Sequence, residues 1–177
     1  MGFRTRFGYD AASRRVSVAD ALGNINNTVF DPDGRTLATV NANGLRTTQV
    51  YDAIGELLAV IDARGNRNSM SYDGAGRQTG SVDPLGNRIT FQYDAASCKT
   101  LRIDGRGLRT SYSYDAASRP TGQQYQDGTR ITNTYDASSQ RTVLSDLTGS
   151  YTSTCDHDGR VSSVINPAGI ATHVILG

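Results

Sequence analysis

The sequence has no tryptophan, one lysine, two cysteines and four prolines among its 177 residues. It also lacks any run of about 18 apolar residues, which excludes a helical membrane span. Seventeen acids nearly balance 18 basic residues, for a net charge of +1, so no field of one sign draws the chain to nucleic acid or to a membrane surface. Cys98 and Cys155 are too few for a disulfide framework and are expected as free thiols. Met1 runs straight into patterned sequence, without the basic and apolar leader of a signal peptide.

What is present is a period. An aromatic-aspartate step recurs every 21 residues, at Tyr9-Asp10, Phe30-Asp31, Tyr51-Asp52, Tyr72-Asp73, Tyr93-Asp94, Tyr114-Asp115 and Tyr135-Asp136, and an altered eighth copy stands at Cys155-Asp156. A period of this length marks one supersecondary unit stacked on copies of itself. The pattern fills residues 1–177, which predicts one array of eight repeats and no second domain.

With the Tyr as position 0, a turn segment falls at positions 1 to 4 and another at 11 to 14. Asp31-Pro32-Asp33-Gly34 and Asp83-Pro84-Leu85-Gly86 place an acceptor side chain first, Pro second and Gly fourth, the chemistry of a type I turn followed by a left-handed residue. The second turn keeps its glycine in every copy, at Gly2, Gly23, Gly44, Gly65, Gly86, Gly107, Gly128, Gly149 and Gly169. The first turn has Ser13, Ser97, Ser118 and Ser139 in half of its copies, and a serine forced to positive φ predicts looser or differently shaped turns there. Between turns lie six or seven residues rich in Val, Ile, Thr and Tyr, which read as short antiparallel strands. Gly149 to Cys155 is one residue shorter than the equivalent interval elsewhere, which predicts a bulge, a shortened loop or lost pairing over residues 149–155.

A three-residue loop at the first turn pairs position 0 with position 6. Tyr9, Tyr51, Tyr72, Tyr93, Tyr114 and Tyr135 then share one sheet face with positions 6, 8 and 10 and with 17 and 19 of the preceding strand, an apolar set that includes Leu57, Ile61, Val82, Leu101, Ile103 and Phe91. Keeping that face apolar requires a four-residue loop at the second turn. The opposite face then carries a charge ladder of Arg46, Asp62, Arg67, Asp83, Arg88, Asp104 and Arg109, with Gly44, Gly65, Gly86 and Gly107 closing the intervening turns. Exposed cross-strand pairs contribute little, so burial of the Tyr face is expected to supply the stability. Seventeen strands exceed what an open twisted sheet accommodates flat, so the ribbon should curl.

Catalytic chemistry finds little support. Cys155-Asp156-His157 gathers nucleophile, acid and base in sequence, but neighbouring strand residues point to opposite faces and cannot converge as a triad. The aspartates are matched to turns or to arginines, so neither a metal nor a cofactor site is expected. The Tyr column stands at a spacing that suits stacking on a glycan as well as packing in a core.

The unit Tyr72-Asp73-Gly74-Ala75-Gly76-Arg77, followed by Asp83-Pro84-Leu85-Gly86-Asn87-Arg88 and Tyr93-Asp94, resembles the RHS or YD repeat. The family includes bacterial Rhs polymorphic toxins, C components of insecticidal toxin complexes, wall-associated proteins and animal teneurins. The resemblance implies an all-β fold in which a β-hairpin ribbon coils into a hollow shell, which in the toxins encloses a C-terminal effector released by self-cleavage. It further implies a secreted or cell-surface location, and as partner the rest of a larger shell or its cargo. No segment here matches the core that ends the toxin shells, and the sequence stops at Leu176-Gly177, where a ninth Tyr-Asp is due. The reading is a non-catalytic wall segment, with a surface glycan-binding module as the alternative.

Overall fold

Short stretches of β-branched and polar residues cut by Asp-x-x-Gly turns cannot reach helical length, and each forms a strand. The computed structural model describes residues 4–173, and of His173 only the backbone. Gly2, Leu176 and Gly177 lie outside the described residues. Within them are seventeen strands and no helix: β1 (Arg6–Tyr9), β2 (Arg15–Ala19), β3 (Ile25–Phe30), β4 (Thr36–Val40), β5 (Arg46–Tyr51), β6 (Leu57–Ile61), β7 (Arg67–Tyr72), β8 (Gln78–Val82), β9 (Arg88–Tyr93), β10 (Lys99–Ile103), β11 (Arg109–Tyr114), β12 (Pro120–Tyr125), β13 (Arg130–Tyr135), β14 (Arg141–Asp146), β15 (Gly149–Cys155), β16 (Val161–Ile165) and β17 (Ala171–His173).

The chain divides into two units, Met1–Arg88 and Ile89–Gly177. In the first, β1 to β8 form an antiparallel meander in which each strand pairs with the next. In the second, β9 to β17 do the same. The all-β hairpin architecture expected from the period is thus the fold.

Both turns of the repeat have one backbone form. At the first, Asp52 N donates to Glu56 O at 3.0 Å and Gly55 N to Asp52 O at 3.3 Å; at the second, Asp62 N donates to Asn66 O and Gly65 N to Asp62 O, each at 3.0 Å. The four-residue loop inferred for the second turn is therefore incorrect, since Ile61 stands opposite Arg67. Parity is restored elsewhere. Tyr51 pairs with Leu57 but Val50 with Ala59, so Leu58 is an extra residue in a β-bulge, and each first hairpin of the array shifts register at the same place.

The bulge redistributes the side chains. Leu57 remains on the Tyr51 face, whereas Ala59 and Ile61 turn to the other, as do Val40, Val82, Leu101 and Ile103. The single apolar Tyr face of the sequence reading does not form. Its expected burial does not follow either: Tyr9 is 61% exposed, Tyr51, Tyr72, Tyr93, Tyr114 and Tyr135 are half-buried, and no large side chain is fully buried among the described residues. The best-covered column is position 8, where Ala38 and Ala59 are fully covered and Gly80, Leu101 and Gly122 are buried.

The charge ladder is also overturned. Arg46, Arg67 and Arg109 stand across from Val40, Ile61 and Ile103, and none of the ion pairs among the described residues involves Arg46, Arg67, Arg88 or Arg109. The carboxylates intended for them close their own turns. Asp62 accepts from Arg64 N, Asn66 N and Asn66 Nδ2, and Asp83 accepts from Leu85 N, Asn87 N and Asn87 Nδ2. Asp104 accepts from Arg106 N, Leu108 N and, at 3.3 Å, the Arg106 guanidinium.

The interval before Cys155 takes the shortened loop. Asp146 pairs with Gly149 across two residues, and its carboxylate accepts from Thr148 N and Oγ1. The four serine turns, by contrast, are not reshaped. Ser13, Ser97, Ser118 and Ser139 take φ of 60°, 64°, 59° and 66° and keep the same hydrogen bonds as the glycine turns. Positive φ costs a side-chain-bearing residue roughly 1–2 kcal/mol, partly offset by glycine's larger entropy loss on folding. Ser118→Gly is therefore expected to stabilise the chain by about 0.5–1 kcal/mol, read as an upward shift of the urea midpoint with an unchanged slope.

Candidate functional site

The most developed side-chain arrangement is the column of Tyr-Asp turns. It starts from a local bracket. Asp10 Oδ1 accepts from Ala12 N and Arg14 N at 2.9 Å while Oδ2 accepts from Arg14 Nε at 2.7 Å, so one carboxylate fixes both the loop backbone and the arginine that leaves it. Asp73 with Arg77, Asp115 with Arg119 and Asp156 with Arg160 repeat this, their Nε to Oδ2 distances lying between 2.6 and 3.0 Å. Asp31, buried, grips Arg35 through the same two bonds.

The held arginine then reaches the following repeat. Arg14 Nη1 donates to Asp31 O at 2.9 Å and its guanidinium lies 5.0 Å from the Phe30 ring centroid. Arg119 Nη1 donates to Asp136 O at 2.8 Å with its guanidinium 4.9 Å from Tyr135, and Arg35 sits 5.1 Å from Tyr51. Guanidinium over an aromatic face is attractive, and more so when partly desolvated. In return the Tyr hydroxyl points back one repeat: Tyr72 donates to Leu57 O at 3.1 Å, Tyr114 to Lys99 O at 3.0 Å and Tyr135 to Pro120 O at 2.9 Å. Tyr, Asp and Arg of the motif therefore form a staple between consecutive hairpins.

Electrostatics agree with the geometry. Hydrogen bonds from the Arg14, Arg119 and Arg160 amides, aided by their guanidinium groups, hold Asp10, Asp115 and Asp156 below the usual aspartate range. At Asp31 and Asp73 burial opposes ionisation, but the bonds from Arg35 and Arg77 prevail and both stay low. At the second turns the Asn side chain has the largest effect, depressing Asp20, Asp62 and Asp83.

The sequence reading identified the Tyr and Asp of the staple but missed Arg14, Arg35, Arg77 and Arg119. The signal was present in the motif, as an arginine four residues after the aspartate; its second partner lies 17 residues further on. Cys155, Asp156 and His157 do not form a site. Cys155 pairs with Val161 in the sheet, Asp156 is taken by its turn and by Arg160, and His157 is fully exposed, with Nδ1 3.9 Å from Asp158 Oδ1.

A meander of bulged hairpins, stapled turn to turn at a 21-residue interval, defines a β-hairpin repeat ribbon. The RHS Repeat family model matches residues 30–67 and 72–97 of this chain, in line with its resemblance to the RHS or YD repeat. Among solved structures, the crystal structure of TcdB2-TccC3 is similar over 90% of this chain, with 19% identity and a TM-score of 0.75, the match taking in 10% of that chain. The TcdB2-TccC3-Cdc42 crystal structure (17% identity, TM-score 0.57) and the Tc holotoxin pore of Photorhabdus luminescens (16%, 0.55) also align over 90% of this chain and 13% of theirs. The chain thus spans about a tenth of the length of the structures whose fold it shares. No curated protein matches it.

Two outcomes test the staple. Arg119→Ala should speed amide exchange in the turn at 136–140 on the order of tenfold, and Tyr135→Phe should cost about 0.5 kcal/mol, both read by hydrogen exchange mass spectrometry. Because the bracketing aspartates have depressed pKa values, the stability they contribute is present above the ordinary aspartate range and lost as pH falls through their folded-state values. An acid titration followed by circular dichroism should show unfolding below that range, beginning later than for chains with Asp115→Asn.

Proposed function

We propose that this chain is a non-catalytic wall segment of a larger RHS shell, one that encloses a C-terminal effector within a secreted protein. The observation that carries the reading is how the motif's functional groups are used. The carboxylate of the Tyr-Asp turn closes that turn and aims its arginine, and the guanidinium, ring and hydroxyl are directed at neighbouring repeats, which is what building a continuous wall demands of a repeat. Partners on this reading are further repeats of the same shell and its cargo.

The glycan alternative loses ground on the same geometry. At Tyr51 and Tyr135 an arginine of the preceding turn already lies over the ring, and the Tyr135 hydroxyl is committed to Pro120 O.

The test is made on the natural polypeptide, comprising this segment and the sequence that follows it at its locus, treated with thermolysin. A shell wall is expected to keep the region after the repeats uncleaved until the β-structure is unfolded. Cleavage of that region at the same rate as when it is produced alone would overturn the reading.

A further inference from the structure

The arginine that staples one turn to the next occupies position 5 of the repeat, and at the third copy this position is Glu56, the sole glutamate of the sequence. Its side chain follows the arginine's path. A Cβ placed on Gly76 would lie 3.3 Å from Glu56 Oε1, as one on Gly55 would lie 3.2 Å from Arg35 Nη1 and one on Gly159 would lie 3.2 Å from Gln140 Nε2. In each case the position-5 head group is delivered beneath the following Tyr-Asp turn.

For an ionised carboxylate this place is unfavourable. Asp52 of its own turn and Asp73 of the next face it, while the neighbouring cations are directed elsewhere: Arg35 Nη1 at the Asp52 carbonyl oxygen, 3.5 Å away, and Arg77 Nε at Asp73 Oδ2, 2.8 Å away. Tyr72, alongside, spends its hydroxyl on Leu57 O. An arginine here would donate to both turns; an ionised glutamate has nothing to donate.

We propose that Glu56 makes the joint between the turns at Asp52 and Asp73 an acid-tightened seam, in which the protonated side chain donates a hydrogen bond to the Asp52 carboxylate and the ionised one pushes the two turns apart. The proton comes from solvent, and no other group changes charge. Burial and the two aspartates raise the Glu56 pKa above the ordinary glutamate range, in line with that geometry. A raised folded-state pKa contributes stability that is complete below the unfolded value and lost as pH rises through the folded one, opposite in sign to the turn aspartates. Gln140 shows that an uncharged amide fits the slot. The seam is a property of this chain, whether or not it belongs to a shell wall.

The test uses the whole chain at pH ~4, below the ordinary glutamate value, and at pH ~8, well above it. Glu56→Gln is expected to raise the thermal midpoint by about 2–4 °C at the higher pH and to leave it nearly unchanged at the lower one. Amide exchange at residues 52–58 and 73–79, corrected for its intrinsic pH dependence, should slow on the order of tenfold at the higher pH. Glu56→Arg should stabilise at both, and Gln140→Glu should install the same pH dependence in the second unit. Equal shifts for Glu56→Gln at the two pH values, or none, would overturn the proposal.

Discussion

The structure depends on a carboxylate that faces two ways. At the head of the arginine-bearing Tyr-Asp turns, Asp10, Asp31, Asp73, Asp115 and Asp156 each accept a loop amide through one oxygen and the departing guanidinium through the other, so the turn is closed and its arginine aimed in one step. Such bonds to a charged acceptor are stronger than neutral ones. Without the bracket the arginine would be a free surface cation, and the cation–π contact to the next ring would have to bear the entropy of ordering a long side chain.

That arrangement explains how a protein with so little interior holds together. Among the described residues no large side chain is fully buried, and the most covered column is built of Ala and Gly as well as Leu101. Stability here is distributed over strand ladders, closed turns and staples, each linking near neighbours, as in other repeat proteins whose energetics are sums of local and nearest-neighbour terms. Local departures in sequence then act locally. Glu56, Cys98 and Gln140 each stand where arginine serves elsewhere, and each alters one joint rather than the array.

Much of the fold was legible from residues. The period predicts tandem hairpins, the Asp-x-x-Gly segments locate both turns, and the missing residue before Cys155 appears as the two-residue loop at Leu147 and Thr148. The face assignment was not legible, because it assumed strands without bulges. The extra residue, Leu58 in one repeat and Thr121 in another, carries no mark, since a bulge in this setting demands neither glycine nor proline. One uncounted residue exchanged the faces of positions 8 and 10, and with them went the Arg46 to Arg109 ladder.

The sequence by itself determined the repeating unit, its all-β character and the positions where the chain reverses, because turn chemistry and β-propensity act over a few residues. Tertiary structure alone decided which groups meet. Arg119 touches Tyr135 and the Asp136 carbonyl, and Tyr135 reaches Pro120, because a bulged register lays one hairpin beside the next at that offset. Contacts between residues 15 to 17 apart depend on backbone register summed over a whole repeat, and no local residue preference encodes that sum.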